Sequence, residues 1–169
     1  MRYSGLIEND FVNGEGVCVT IFVQGCHHHC DGCHNPETWD FNGGIEIDKN
    51  VLIDKIIDSI SKNNIQRNLS ISGGEPLCKE NATFVNELIT KVKNKYPTIK
   101  IFCWSGCDFE SLWIQPGPIL YNILNTVDVF ITGPFIKDQR DITLKLRGSR
   151  NQEIWRRNND GKFELDTCN

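Results

Sequence analysis

Long apolar runs are missing from this chain. No stretch of ~18 consecutive apolar residues occurs, so no membrane-spanning helix and no membrane partner are expected. The amino terminus lacks the charged and apolar blocks of a secretory signal, and the expected location is the cytoplasm. Positive charge is not in excess either. Eighteen Lys and Arg against 22 Asp and Glu leave a net charge of −4, and no repeated or low-complexity segment is present. Both points argue against nucleic acid as a partner. One stretch departs locally from that balance: Lys145, Arg147, Arg150, Arg156 and Arg157 form a basic run that reads as a solvated face or as a surface for an acidic partner. Length excludes something too. At 169 residues the chain is expected to be a single domain, 1–169, with room for one core. It falls well short of the ~250 residues typical of a closed eight-unit α/β barrel.

Cysteine, by contrast, is plentiful, with eight residues. Eight could build a disulfide scaffold, but here they sit on alternating strand-like and helix-like segments, where a reducing compartment and a metal site fit better. Strands are expected at residues 17–23, 68–72, 100–104 and 127–132, with helices at 49–61 and 79–96. The 79–96 segment carries Phe84, Val85, Leu88, Ile89 and Val92 on one face, and 49–61 carries Leu52, Ile53, Ile56, Ile57 and Ile60. This alternation implies an α/β fold with a mostly parallel sheet.

Three of the cysteines, Cys26, Cys30 and Cys33, crowd into eight residues directly after the first of these strands. Three thiolates can hold a metal centre while leaving one position open, and an open position is what a reaction at the metal needs. The same spacing also suits a zinc knob that borrows a fourth ligand from His27, His28, His29, His34 or a distant cysteine. The three consecutive histidines occupy the spacer between the first two cysteines, so their side chains are expected to splay outward. A second segment, Ser70-Ile-Ser-Gly-Gly-Glu-Pro76, sets two glycines and a carboxylate at a strand's carboxyl end, where α/β folds bind ligands. Glycine there lets a ligand approach the backbone closely, although the segment also reads as a plain turn.

Taken together, the two segments resemble the radical S-adenosylmethionine superfamily. A closer similarity extends through Val12-Asn-Gly-Glu-Gly16, Gly25 to Trp39, Leu69 to Pro76, Trp104-Ser-Gly106, Gly133-Pro-Phe135 and Leu146-Arg-Gly-Ser-Arg-Asn-Gln152. In this order the segments resemble the proteins that activate anaerobic ribonucleoside-triphosphate reductases, over roughly residues 3 to 155. The chain departs from that pattern at His34, Cys18, Cys107 and Thr132, where tyrosine, arginine, tyrosine and aspartate are expected.

The resemblance implies an incomplete (β/α) barrel of mostly parallel strands and one 4Fe-4S cluster held by Cys26, Cys30 and Cys33. It also implies S-adenosylmethionine on the open iron, contacted by Gly32, Cys33, His34, Gly73, Gly74 and Glu75. Reductive cleavage of that cofactor would generate a glycyl radical on the reductase, with an electron donor such as flavodoxin. Arg147 to Gln152 would lie on the cofactor or partner side, and Trp39 would shield the cluster or serve as a core aromatic. Rival readings are a radical enzyme acting on another glycyl-radical protein or a small molecule, a zinc-stabilised binding module, and an electron carrier with four protein ligands. Of the remaining cysteines, Cys103 is expected in the core. Cys103 and Cys107 repeat the spacing of Cys26 and Cys30 but lack a compact third ligand for an auxiliary cluster. Cys168, near the terminus, is expected to be exposed and open to oxidation.

Overall fold

In the computed structural model, residues 1–167 are described; the expectation for Cys168 lies outside them. The chain runs β1 (Arg2–Asp10), β2 (Cys18–Val23), β3 (Ile45–Glu46), α1 (Lys49–Ile60), β4 (Asn68–Gly73), α2 (Lys79–Lys95), β5 (Ile101–Ser105), α3 (Phe109–Leu112), α4 (Pro118–Thr126), β6 (Val129–Thr132), β7 (Glu153–Arg157) and β8 (Phe163–Leu165). All eight strands join one open sheet in the order β3-β1-β2-β4-β5-β6-β7-β8.

The central strands β2, β4, β5 and β6 are parallel, and β4, β5 and β6 are each reached through a helical crossover. Both flanks are antiparallel: β1 pairs with β2 and β3, and β7 with β6 and β8. The expected mostly parallel sheet is therefore confined to the middle. For the β1–β2 and β7–β8 pairs, short links are the reason. Residues 11–17 between β1 and β2, and 158–162 between β7 and β8, cannot carry a crossover, so each chain must turn straight back on itself.

Helices cover one face of the sheet. Leu52, Ile53, Ile56, Ile57 and Ile60 of α1 and Phe84, Val85, Leu88, Ile89 and Val92 of α2 pack with Val19, Ile21 and Val23 of β2, Leu69 and Ile71 of β4, and Ile101 and Cys103 of β5. The alternate residues point to the other face: Phe22, Ser72 and Trp104 line a cavity there, and Phe102, Val129, Ile131 and Ile154 form a smaller buried cluster. One face thus supplies hydrophobic burial and the other supplies space.

The β1–β2 loop closes part of the open face. Asp10 accepts the backbone N–H groups of Val12 and Asn13 at 2.8 and 3.1 Å and the Asn13 side-chain amide at 2.7 Å. Ser70 donates to the Asn13 carbonyl. The loop lies so close to the sheet that a Cβ on Gly14 would stand 2.5 Å from Cys18 Sγ, and its φ of +139° is a conformation in which L side chains are strained.

Candidate functional site

Two strand ends create the site, and glycine lets them meet. Beyond β2, Gly25 has φ +101°; beyond β4, a Cβ on Gly74 would lie 2.2 Å from the Gly25 carbonyl oxygen. That contact is with backbone, which cannot swing away, so the close approach depends on the missing side chain. The crossing is fastened by hydrogen bonds from Gly74 N to Val23 O and from Glu75 N to Gly25 O, both 2.8 Å. Asn81 at the start of α2 adds amide bonds to the carbonyls of Gln24 and Glu75, at 3.1 and 3.0 Å.

The cysteine loop then returns on itself. Gly25 N donates to Thr38 O at 2.8 Å, Cys26 N to Trp39 O at 3.2 Å and Cys33 N to Cys30 O at 3.1 Å, while Gln24 Nε2 ties the carbonyls of Glu37 and Asp40 at 2.9 and 2.7 Å. Asn35 N donates to Cys33 Sγ at 3.4 Å. The loop is held from inside, and its three thiols remain available to something else.

Cys26, Cys30 and Cys33 all border a cavity of about 450 Å³, together with His34, Gly73, Gly74 and Glu75. Of the residues singled out in the sequence, Gly32 is not among those lining it; a Cβ there would meet the Lys137 side chain at 3.3 Å. Trp39 also stands off the cavity, half-buried and stacked on His29 at 4.9 Å. The cavity wall further includes Ser105 and Gly106 from the end of β5, and Arg147, Gly148 and Gln152 from the segment before β7. That last segment is a clamp built around Gln152. Its Oε1 accepts the backbone N–H groups of Gly148 and Ser149 at 2.9 and 3.2 Å, and its Nε2 donates to Gly133 O at 3.0 Å. Asn151 donates to Pro134 O at 2.8 Å, and Trp104 Nε1 to Leu146 O at 3.0 Å.

The donor set suits an iron–sulfur centre with one open position. Three thiols border the cavity, and no fourth cysteine does so among the described residues. Of the histidines that might close a zinc site, His27 faces Glu80 and His29 stacks on Trp39, while His28 and His34 border the cavity, His28 engaged by Glu75 and His34 packed on Phe135 at 5.0 Å between ring centroids. Burial pushes the Cys26 thiol up from its ordinary value, against hydrogen bonds from the backbone of His28 and His29. Metal binding must displace that proton, and coordination then gives the thiolate the positive partner that burial otherwise denies it. Cys18, Cys78 and Cys103 are also raised by burial, Cys78 to about 12 and Cys103 well above the ordinary thiol value, which marks them as unreactive packing residues.

His28 departs from the expectation that the spacer histidines splay outward. Its ring lies against Gly106, where a Cβ would stand 2.6 Å from His28 Cδ2, and its Nε2 is 2.9 Å from Glu75 Oε2 and 3.8 Å from Cys107 Sγ. Those two contacts raise its pKa to about 11, with Cys107 the larger cause, against desolvation. Sequence spacing carried no sign of this, because it depends on β5 ending beside β4.

The basic run is largely occupied within the molecule. Arg156 pairs with Glu15 at 2.8 Å and Asp166 at 2.6 Å, Arg150 with Asp141 at 3.0 Å, and Arg157 bonds the carbonyls of Val127, Gly161 and Leu124.

Residues 12–155 match the model of the family described as a 4Fe-4S single cluster domain. The chain is also similar along its length to proteins named anaerobic ribonucleoside-triphosphate reductase-activating protein. That of Haemophilus influenzae is 38% identical over 157 residues, covering 92% of this chain and 98% of that protein. That of Vibrio cholerae is 37% identical with the same coverage. That of Enterobacteria phage T4 is 36% identical over 167 residues, covering 98% of this chain and all of the phage protein.

Proposed function

The chain belongs to the family of anaerobic ribonucleoside-triphosphate reductase-activating proteins, and from that premise we propose that it activates such a reductase by generating a glycyl radical on it. The observation that carries this reading is three thiols of one loop facing a single cavity whose opposite wall is the glycine-lined end of β4. Cys26, Cys30 and Cys33 would hold a 4Fe-4S cluster and leave it open to S-adenosylmethionine. Reduced by a donor such as flavodoxin, such a centre would supply the electron for reductive cleavage of S-adenosylmethionine, the chemistry by which the reductase would gain its glycyl radical.

This chain's own residues bind, orient and exclude water. Gly73 and Gly74 let the cofactor's methionine end approach the β4 backbone, and the Glu75 carboxylate lies beside it. Cys33 and His34 supply the loop side of the same pocket, and Gly32 stands behind them against Lys137. Glu75 is held for this task by Leu77 N at 3.0 Å on Oε1 and Gly106 N at 2.8 Å on Oε2. In this reading the open α/β sheet corresponds to the partial barrel that the resemblance implies, and its helix-free face would give access to a protein substrate. Phe11 and Val12 support that role. They are 72% and 77% exposed, and Val12 also lines the cavity. In this reading the protein is one domain working in the cytoplasm.

The test is the electron paramagnetic resonance spectrum of anaerobically reconstituted, reduced protein, with and without S-adenosylmethionine. A cluster signal that changes on adding the cofactor is expected, followed by a glycyl-radical signal when the reductase is present. A signal indifferent to the cofactor would indicate an electron carrier, and a colourless zinc protein would remove the reading altogether.

A further inference from the structure

Beside the cysteine triad, a second set of metal-binding side chains converges, of which the proposed chemistry uses Glu75 alone. His28, Glu75 and Cys107 each offer one ligand atom, and the three atoms lie within 4.8 Å of one another. They come from three separate elements: the cysteine loop, the end of β4 and the turn after β5. Glu75 is 4% exposed, and its carboxylate orientation is fixed by the backbone N–H groups of Leu77 and Gly106. Gly106 also permits the imidazole to lie flat over the turn, where any larger residue would collide with it.

A single atom, His28 Nε2, faces both the carboxylate oxygen at 2.9 Å and the thiol sulfur at 3.8 Å. One nitrogen carries at most one proton and cannot donate fully to two acceptors. A cation at the same point serves all three donors. Tetrahedral zinc, with bonds of about 2.0 Å to N and O and about 2.3 Å to S, sets its N and O ligands about 3.3 Å apart and its N and S ligands about 3.6 Å apart. The two separations from His28 Nε2 differ from these by less than half an ångström, and the Glu75 oxygen and Cys107 sulfur, within 4.8 Å of each other, close on the ion through side-chain rotation.

We propose that His28, Glu75 and Cys107 form a zinc site distinct from the cysteine triad, with the fourth position of the ion left to water. A nitrogen, a carboxylate oxygen and a thiolate are all ordinary zinc donors, and the backbone bonds to Glu75 supply the outer support that such sites use. Binding releases the protons of the thiol and the imidazole to solvent. Glu75 faces both this site and the central cavity, so an ion here draws the carboxylate away from the cofactor. The zinc site would therefore be inhibitory, a consequence that rests on the function proposed above, whereas the site itself does not.

The experiment counts zinc per chain, against protein concentration, in cluster-loaded protein equilibrated anaerobically with zinc and then desalted. About one zinc is expected in the wild type, near zero in Cys107→Ser, and about one in Cys78→Ser, whose thiol borders the neighbouring pocket but lies outside the group. No bound zinc in the wild type would overturn the proposal. So would zinc retained by Cys107→Ser, since it would then reside on the exposed histidines. Should Cys107→Ser fail to fold, zinc-edge X-ray absorption of the wild type decides: one sulfur with nitrogen and oxygen neighbours supports the site, and no sulfur or three sulfurs excludes it. Iron is counted in the same samples, because a vacant cysteine triad can itself take zinc: loss of zinc in Cys107→Ser at unchanged iron reports this site, whereas missing iron in both proteins reports on the cluster alone.

Discussion

At the carboxyl ends of β2 and β4, the absence of a side chain decides what can be built. Gly74 sits against the Gly25 carbonyl, and neither strand end could turn under the other with a methyl group between them. The cysteines divide by environment in the same way. Cys30 borders the cavity, whereas Cys103 is fully buried among the helix-facing side chains. Cys30→Ala is therefore expected to abolish cluster assembly, read as iron per chain and as S-adenosylmethionine cleavage. Cys103→Ala should keep both and lose about 1–2 kcal/mol of stability in urea through the small void it leaves. Asp10 supplies a pH-dependent contact. Desolvation raises its pKa, but the bonds from the Asn13 side chain and the Val12 and Asn13 backbone outweigh it, and the net shift is downward from 3.8. A lowered carboxyl pKa contributes stability that is fully present above the ordinary value and is lost as pH falls through the folded one. Asp10→Asn should thus be less stable than the wild type at neutral pH. The gap should narrow below about pH 3.8 in urea titrations taken at successive pH values.

At the scale of elements, the parallel strands separate two tasks by alternation. Val19, Ile21, Leu69 and Ile71 face the helices; Thr20, Phe22, Ser70 and Ser72 face the other way, and of these Phe22 and Ser72 reach the cavity wall. That polar, small-residue side is legible in Cys-Val-Thr-Ile-Phe-Val and Leu-Ser-Ile-Ser once the strands are known to be parallel. The helices need local signals as well as packing. Asp48 caps α1 by accepting from Asn50 N and Val51 N at 2.9 and 3.1 Å, and Asp48→Ala should cost about 1 kcal/mol, seen as a lower urea midpoint with an unchanged slope. The clamp before β7 works differently, since it shapes a loop with one side chain. Gln152→Ala frees the N–H groups of Gly148 and Ser149 at the cavity wall, so iron content should hold while S-adenosylmethionine binding weakens by about tenfold, the cost of a lost hydrogen bond. Equilibrium binding on the loaded protein checks this.

For the whole molecule, one continuous buried cluster runs from Tyr3 in β1 to Phe130 in β6, with Trp155 of β7 and Phe163 of β8 packed against its edge. Phe109 and Trp155 stack at 4.3 Å, which joins α3 to the far flank of the sheet. A chain organised this way should unfold as one unit. Metal-free protein is expected to give coincident urea transitions by far-ultraviolet circular dichroism and by tryptophan fluorescence, which reports from Trp39, Trp104, Trp113 and Trp155 across the sheet. Two separate transitions would divide the molecule into parts.

The sequence by itself determined the local elements and the reactive groups. The β2, β4, β5 and β6 segments, α1 and α2 follow from apolar periodicity, and the cysteine triad and the Gly-Gly-Glu segment from their spacing, because these signals lie within a few residues of one another. The antiparallel flanks, β1 above all, carried no comparable signal; their pairing depends on a neighbour that the local pattern does not name. The resemblance already implied one site for the cysteine loop and the β4 end, with Arg147 to Gln152 on its cofactor or partner side; only the tertiary structure decided that Ser105 and Gly106 complete the same cavity and that Gln152 clamps its wall. It alone turned His28 inward onto Glu75 and Cys107, since that meeting requires β5 to lie beside β4 and to end where it does. Contacts between residues 28, 75 and 107 are set by strand order and register, and no spacing along the chain encodes them.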